Sequence, residues 1–347
     1  MYQDFYGFKE RPFQLTPNPR YLYLSPRHRE ALATLRYGLT ASLGVTVLLG
    51  EAGTGKTTLL SAALYAERRP EHRHVVLNNP TLTPAEFYEM LTDRLAMPQG
   101  AGSKSKFLLA FEKDLATRHQ AGGLTSIVID EAQSCSHQLF EELRLLANLE
   151  TATAKLVNLV MVGQPELADR LNDPSLRQLK QRVVLRCSLE PLELRSTASY
   201  IAARLQVAGG APRDIFTKDA IVAIYEASHG IPRTIGVVCE NALLAGFAAQ
   251  KKPIDGAIVL EVCKDLDLPS NGRPPRGSGG ARSAPPAPAA PSRPASAPAS
   301  GPQAQAGHGN SGRRWFSFGP GDTTADSNAE EEATPSVNDG KKMFRFY

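Results

Sequence analysis

Five short runs rich in β-branched residues recur between residues 45 and 189. Each run is apolar at consecutive positions and is separated from the next by a longer segment with helical spacing. Strands that are apolar on both faces are typical of a parallel sheet covered by helices on each side. The runs are VTVLL (45–49), HVVLN (74–78), SIVID (126–130), LVNLVMVG (156–163) and RVVLRCSL (182–189).

The segments between these runs predict the helices of the covering layers. An earlier helix is predicted to begin near Ser25-Pro26, because a serine N-cap followed by a proline is a helix-start signal. We therefore predict an α/β class fold, a three-layer α/β/α domain with a five-stranded parallel sheet over residues 45–193, preceded by a strap and helix over residues 1–44. The helices predicted between the runs cover residues 55–66, 84–96, 104–119 and 137–150.

The strand pattern stops at Leu194. Four segments follow in which apolar residues recur at the helical period between Gly or Pro breaks, which predicts a small all-α lid domain over residues 194–268. From Pro269 the chain is nearly free of large apolar side chains and rich in Pro, Ala, Gly and Ser. Such a segment buries too little surface to offset its ordering entropy, so residues 269–347 are predicted to be a disordered tail.

Basic and aromatic residues cluster in the tail at GRRWFSFG (312–319) and KKMFRFY (341–347). Such patches are typical of short recognition peptides and of weak membrane-surface anchors, and solvated termini with incidental aromatics fit them equally. We expect the tail to dock a protein partner.

Overall composition excludes several classes of protein. The net charge of +4 permits anionic partners without requiring them, and the four cysteines form no CxxC pair, which argues against a zinc site and a disulfide framework. No stretch approaches the about 18 apolar residues of a membrane helix, and the N-terminus lacks the pattern of a signal peptide. We expect a cytoplasmic protein without an integral membrane segment, with peripheral attachment at the inner face of the membrane as an alternative.

The segment GEAGTGKTT, residues 50–58, fits the pattern G-x-x-x-x-G-K-[ST] of a phosphate-binding loop. Its glycines allow backbone N–H groups to curl around a phosphate, and the following helix directs its positive end at the anion. Lys56 is expected to reach the β- and γ-phosphates of a nucleotide, and Thr57 to place its hydroxyl on Mg²⁺. The expected nucleotide-binding residues are Gly50, Glu51, Ala52, Gly53, Thr54, Gly55, Lys56, Thr57 and Thr58.

The run SIVID ends in Asp130, and Glu131 follows it directly. Taken alone, this pair fits an ordinary strand end capped by a polar turn. Coupled to a phosphate-binding loop, Asp130 is expected to join Thr57 in holding Mg²⁺, and Glu131 to polarise a water as general base. Because no NKxD-type base reader is evident in the sequence, the pair favours ATP hydrolysis over a GTPase.

An ordered set of motifs covers residues 1–268, namely MYQDFYGFKERPFQLTPNPRYLYLSPRHREAL, GEAGTGKTT, VIDEAQ, LRLLANLET, VMVGQPEL, LRQLKQR and GIPRTIG. The set resembles the AAA+ ATPases of the replication-initiator-like branch, and within them the family of general secretion pathway protein A (ExeA). The resemblance implies a P-loop core, ATP and Mg²⁺ as cofactors, and a homo-oligomer in which neighbouring subunits share the active site.

The resemblance also assigns roles to three polar residues. Gln164 stands where such ATPases keep a sensor of the γ-phosphate, and Arg233 resembles the arginine that the lid brings onto the same phosphates. Arg182 stands where relatives carry an arginine finger directed at a neighbour's ATP, with Arg177 as the alternative. Gln164 also fits a turn residue before Pro165, and the arginines also fit plain surface cations.

Two further clusters stay open on sequence alone. The aromatic residues of the first 23 positions fit a hydrophobic strap on the sheet edge, while the Pro17–Tyr21 region also fits an adenine-stacking pocket. His72 and His74, among three arginines, fit a solvated basic face or a phosphate-contacting patch. Gly236 stands where relatives usually have asparagine.

The expected function is Mg²⁺-dependent ATP binding and hydrolysis by an oligomeric switch or motor. Its expected role is assembly or regulation of a secretion, envelope or exopolysaccharide system, although the family's secretion members continue into a membrane helix where this chain has its Pro-Ala tail. The alternative is a DNA-directed ATPase resembling transposition target-selection proteins. A third is a nucleotide switch in which hydrolysis only resets binding.

Overall fold

The structure, a computed structural model, describes residues 1–14, 18–78 and 80–268. The predictions made for the tail, including both basic-aromatic segments, and the expected contribution of Pro17 to a base pocket lie outside the described residues.

Five strands form one parallel sheet in the order β2-β3-β4-β1-β5, as their apolar runs predict. The order separates β1 from β3 by one strand, so β4 lies between the phosphate-binding loop and the acidic pair. Because all strands run in the same direction, the loops that follow β1, β3 and β4 meet at the carboxyl edge of the sheet. The strands are β1 (Val45–Gly50), β2 (His72–Leu77), β3 (Leu124–Ile129), β4 (Val157–Gly163) and β5 (Val183–Leu189).

Helices cover both faces of the sheet and then form a separate bundle. The boundaries agree with the predicted segments to within a few residues, and the largest difference is in the fourth predicted helix, 137–150, which ends at Leu146. In chain order the α-helices of the described residues are α1 (Tyr2–Tyr6), α2 (Pro26–Thr40), α3 (Lys56–Ala66), α4 (Pro84–Arg94), α5 (Lys104–Gln120), α6 (His137–Leu146), α7 (Glu166–Leu171), α8 (Arg177–Lys180), α9 (Leu194–Val207), α10 (Lys218–Ser228), α11 (Pro232–Ala248) and α12 (Gly256–Asp265).

The alternation of side chains along β1 shows the three layers. Val47 lies in a core shared with α4, α5 and α6, whereas Leu48 lies in a second core shared with α2 and α3. Successive strand residues point to opposite faces of a sheet, so a strand that is buried on both faces has to be apolar at every position. The expected α/β/α sandwich is confirmed.

Capping side chains fix where the helices beside the sheet begin. The Ser25 hydroxyl accepts a hydrogen bond from the backbone N–H of His28 over 3.3 Å, with Pro26 at the first helical position. At the start of α4, Thr83 and Glu86 form a reciprocal capping box. Each cap satisfies backbone donors that the helix itself leaves without a partner.

A third core lies within the helical lid and includes the aromatic residues of the N-terminal strap, residues 1–14. Tyr2, Tyr6, Phe8 and Phe13 are buried among residues of α9 to α12. The expectation that the strap packs on the sheet edge is therefore wrong. Helix α11 is apolar on most of its circumference and therefore needs packing partners on several sides. The other lid helices supply part of this packing, and the aromatic residues of the strap supply the rest.

Polar contacts tie the strap to the lid as well. The Tyr2 hydroxyl donates to Glu240 Oε1 over 2.8 Å. Arg204 of α9 donates from Nε to the Pro12 carbonyl over 2.7 Å and from Nη2 to the Gln14 carbonyl over 3.2 Å. Its guanidinium also lies within 6 Å of three rings, those of Phe13, Tyr21 and Tyr200. The first residues of the chain thus belong to the lid, not to the sheet.

Candidate active site

The loop between β1 and α3 has the backbone geometry of a phosphate cradle. Gly53 and Gly55 have φ values of 83° and 97°, in the left-handed region that favours glycine. A Cβ on Gly53 would lie 2.9 Å from Cβ of Arg233, so only glycine permits this approach of loop and lid. The loop leads directly into α3, whose first N–H groups point toward the cradle.

Lys56 lies in the first turn of α3 and is 5 % exposed. Its ammonium donates to the carbonyl oxygens of Gly50 over 2.9 Å and of Glu51 over 3.0 Å. Burial lowers the pKa of Lys56, and the nearby carboxylates of Glu131 and Asp130 oppose that shift. A cation held at such a desolvated position gains from an anionic partner, which suits contact with phosphate.

Thr57 and Asp130 form the pair expected to hold a metal ion. The Thr57 hydroxyl donates to Asp130 Oδ2 over 2.9 Å, and Asp130 is 4 % exposed. Both side chains offer hard oxygen ligands, and Mg²⁺ bound with a nucleotide takes one or two such ligands together with phosphate oxygens and waters. Among the described residues there is no cluster of three or more His, Cys, Asp or Glu that could hold a metal by itself. The residues present fit Mg²⁺ that arrives with a nucleotide.

Glu131 lies at the rim of the cleft beyond β3. Its backbone is left-handed, with φ 54° and ψ 39°, and its N–H donates to Asp130 Oδ1 over 3.0 Å. Its Oε2 accepts from the side-chain amide of Gln164, at the end of β4, over 3.3 Å. The structure thereby brings together two predicted site residues that are far apart in sequence.

Arg233 lies in the first turn of α11 and joins the lid to the phosphate-binding loop. Its backbone N–H donates to the Gly53 carbonyl over 3.2 Å, and its side chain is exposed and lines the cleft. The contact places a guanidinium beside the loop that also carries Lys56.

A cleft of about 420 Å³ lies between the loop, the strap and the lid, and is lined by Lys56, Thr57, Glu131, Tyr200, Arg204 and Arg233, among others. A smaller cavity of about 90 Å³ adjoins it, lined mainly by apolar and aromatic groups that include Tyr21, Tyr23, Leu192 and Tyr200. The combination of a charged end and an apolar end matches the two ends of a nucleotide.

The family described as AAA domain matches residues 40–171. This part of the chain therefore resembles an AAA domain. The matched residues include the phosphate-binding loop, Asp130, Glu131 and Gln164 but neither Arg182 nor Arg233.

A larger part of the chain resembles a known secretion protein. General secretion pathway protein A of Aeromonas hydrophila is 42% identical over 262 residues, which cover 75% of this chain and 48% of that protein. This chain therefore spans about half the length of that relative. The resemblance expected from the sequence motifs is confirmed over this region.

Solved structures share the fold at low sequence identity. The ORC2 protein of Aeropyrum pernix, in ADPNP and ADP complexes, has a TM-score of 0.53 and 16% identity, covering 74% of this chain and 72% of that one. A Drosophila ORC structure bound to DNA has a TM-score of 0.56 and 18% identity, covering 74% of this chain and 64% of that one. The α/β P-loop architecture is therefore shared with these two proteins. In the part of the chain that the structure describes, no helix is long and apolar enough to cross a membrane.

Arg182 does not join the cleft of its own chain. Its carbonyl accepts from the backbone N–H of Val45, at the start of β1, and its guanidinium donates to the Gln178 carbonyl over 2.8 Å. Strand β1 is six residues long, or roughly 20 Å, so Arg182 lies at the edge of the sheet opposite to the loop. Arg177 is exposed at the start of α8.

Sequence reasoning missed several residues that lie at the cleft or beside it. Arg204 and Tyr200 occur within a regular helical pattern, where nothing distinguishes them from surface and core positions. His28 is buried, with Nδ1 2.7 Å from Ser25 Oγ and Nε2 3.3 Å from the Thr54 carbonyl, and burial lowers its pKa. Gln133 was visible only as the last letter of VIDEAQ, although its side chain contacts Glu131 directly.

Proposed function

We propose that this chain binds ATP with Mg²⁺ and hydrolyses it with water. The observation that carries the proposal is the convergence of Lys56, the Thr57–Asp130 pair and Glu131 on one cleft that the lid closes with Arg233. These residues combine a phosphate cradle, hard metal ligands, a carboxylate able to accept a proton and a second cation.

Each residue has a distinct task in the proposed reaction. The loop N–H groups and Lys56 bind the phosphates, and Thr57 with Asp130 would hold Mg²⁺, which neutralises phosphate charge when bound. Glu131 accepts a proton from the attacking water. Gln164, at hydrogen-bond distance from Glu131, orients the water or the γ-phosphate, and Arg233 stabilises the charge that develops on the phosphate oxygens.

The proposed active form is a homo-oligomer. Support comes from the position of Arg182, which is remote from its own cleft yet partly accessible at the opposite edge of the sheet. An arginine there serves catalysis only if it reaches the cleft of a neighbouring subunit, where it stabilises transition-state charge. Nucleotide binding then favours assembly, since it supplies the anion that the finger contacts.

The proposed output is a conformational change of the lid. The hydrogen bond from Arg233 to Gly53 and the Arg233 side chain in the cleft connect the lid directly to the phosphate site. Loss of the γ-phosphate removes a partner of Arg233 and so alters the balance between lid positions. The similarity to general secretion pathway protein A supports a role in assembling or regulating a secretion, envelope or exopolysaccharide system, with residues 269–347 docking the partner.

The test is phosphate release by the full chain with ATP, with GTP, and with EDTA in place of Mg²⁺. We expect hydrolysis of ATP that requires Mg²⁺, and absence of release under every condition contradicts the proposal. The same assay with duplex DNA over a salt titration addresses the alternative. Stimulation by DNA that fades with rising salt would favour a DNA-directed ATPase over a secretion or envelope role.

A further inference from the structure

Gln133 bridges two elements of the cleft through both ends of its side-chain amide. Its Nε2 donates to Glu131 Oε2 over 2.5 Å, and its Oε1 accepts from the backbone N–H of Gln164 over 3.0 Å. The Gln164 side-chain amide donates to the same Glu131 oxygen over 3.3 Å. Glu131, Gln133 and Gln164 therefore form a closed ring of hydrogen bonds.

The backbone N–H of Gln164 decides which way the Gln133 amide points. A backbone N–H is only a donor, so the atom that meets it has to be the amide oxygen. The opposite orientation would place two donors together at Gln164 and two acceptors together at Glu131. Gln133 consequently presents its N–H to the Glu131 carboxylate, where two amide donors now converge on one oxygen.

Packing fixes Gln133 in this position. Its carbonyl accepts a hydrogen bond from Arg170 of α7, whose guanidinium stacks on the buried Phe140 ring with 4.9 Å to the centroid. A Cβ on Gly163 would lie 2.8 Å from Gln133 Oε1, so the close approach to the end of β4 requires glycine there. Arg170 therefore holds the backbone of Gln133, and the close approach of Gly163 confines its side-chain oxygen.

We propose that Gln133 is a positioning residue for hydrolysis. It holds the Glu131 carboxylate in a fixed position relative to Gln164 at the end of β4. The inference rests on the proposed ATPase function. A general base works only when its oxygen lies at hydrogen-bond distance from the water, and a displacement of about 1 Å lowers the rate strongly. Glu131 has a strained left-handed backbone and a flexible side chain, so its carboxylate depends on such donors for a fixed place.

Replacement of Gln133 by alanine tests the positioning role. In the full chain, Gln133→Ala is expected to lower kcat for ATP roughly 10-fold, a part of the total contribution of a general base, with the Kd for ATP within about twofold of wild type. Gln138→Ala, an exposed glutamine of α6, is the matched control and is expected to keep wild-type kcat. Thermal unfolding of each variant with and without ATP shows whether the fold is retained.

A double-mutant cycle separates positioning from a merely structural effect. If Gln133 acts through the Glu131 carboxylate, Gln133→Ala costs nothing further in a Glu131→Gln background, as measured by single-turnover release of labelled γ-phosphate. A structural role predicts the same fold-loss in both backgrounds.

A wild-type kcat in Gln133→Ala, or the same fold-loss in the wild-type and Glu131→Gln backgrounds, overturns the role of Gln133 alone. A wild-type chain that binds ATP but releases no phosphate overturns the ATPase proposal and this one together.

Discussion

The Thr57 hydroxyl donates to the Asp130 carboxylate over 2.9 Å, although 73 positions separate the two residues along the chain. The contact spans β4, since β1 and β3 are not neighbours in the sheet. Two ligands expected to share Mg²⁺ are thus already within contact distance of each other, and little rearrangement is needed to bring a Mg-nucleotide between them.

Lys56→Ala is expected to weaken ATP binding by at least about 100-fold, because it removes the one ammonium buried in the cradle and its charge-assisted contacts with phosphate. Isothermal titration calorimetry with Mg·ATP measures the change. The control is Lys106→Ala, which removes an exposed ammonium from α5 and should leave the Kd unaltered. Retained binding in Lys56→Ala would exclude the loop as the phosphate site.

Glu131→Gln is expected to keep ATP bound and to slow its hydrolysis roughly 100-fold or more, because the amide keeps the shape of the carboxylate but does not accept a proton. Single-turnover assays with labelled ATP separate binding from cleavage. A variant that turns over ATP at the wild-type rate would show that another group activates the water.

Arg182→Ala is expected to lower hydrolysis while leaving ATP binding by the isolated subunit intact, since the guanidinium lies at the far edge of its own sheet. Mixing Arg182→Ala subunits with Lys56→Ala subunits should restore part of the activity, because a mixed pair contains one cleft with a working Lys56 and a neighbour's Arg182. The same mixture made with Arg177→Ala distinguishes the two candidate fingers. Absence of recovery at every ratio would argue against a shared site.

Gly230→Ala is expected to destabilise the fold by roughly 3 kcal/mol or more. Gly230 has a φ of 75°, and a Cβ there would lie 1.9 Å from the Leu192 carbonyl oxygen, so strain and a backbone clash combine. Gly236→Ala is the matched control, because a Cβ at this helical glycine meets nothing within 4 Å and alanine favours the helix by about 0.5–1 kcal/mol. Urea denaturation of both variants checks the opposite signs.

The stability of the protein is expected to fall as the pH drops below about 6.5, in part because of His28. Burial lowers the pKa of His28 from its ordinary value of 6.5, so the unfolded chain takes up a proton before the folded one does. His28→Gln should therefore flatten the decline of the unfolding midpoint between pH 7.5 and pH 5.5. His74, whose pKa burial also lowers, keeps part of the slope, and His119→Gln serves as the control. An identical slope in His28→Gln would contradict this assignment.

The sheet and the phosphate-binding loop could be predicted because their signals are local. A run such as VTVLL consists of β-branched and apolar residues, which indicates a strand that is buried on both faces. The segment GEAGTGKTT contains every residue type that the backbone of a phosphate-binding loop needs. The position of the strap could not be predicted in this way. Aromatic residues such as Phe13 are expected to be buried, but the sequence does not indicate in which of the three cores they lie.

The finer parts of the cleft depend on contacts between distant segments. The role of Gln133 arises from the close approach of β4 at Gly163. The role of Arg204 arises from its hydrogen bonds to backbone carbonyls of the strap. In neither case does a sequence pattern connect the residue with its partner. The role of Arg182 as an arginine finger is predicted only from the resemblance of the chain to a family. An arginine that is directed away from its own cleft has no local sequence signal.

Because the strap lies in the lid, the polypeptide passes between the lid and the sheet twice, once ahead of α2 and once after β5. A body attached at two points turns about the line that joins them, whereas a body on one tether swings in any direction. Rotation of the lid about that line is therefore the movement that we expect of it. A shortened chain that began at α2 would lose that axis, together with the aromatic side chains that complete the lid's core. Removal of the first residues is therefore expected to impair the nucleotide site as well as the lid.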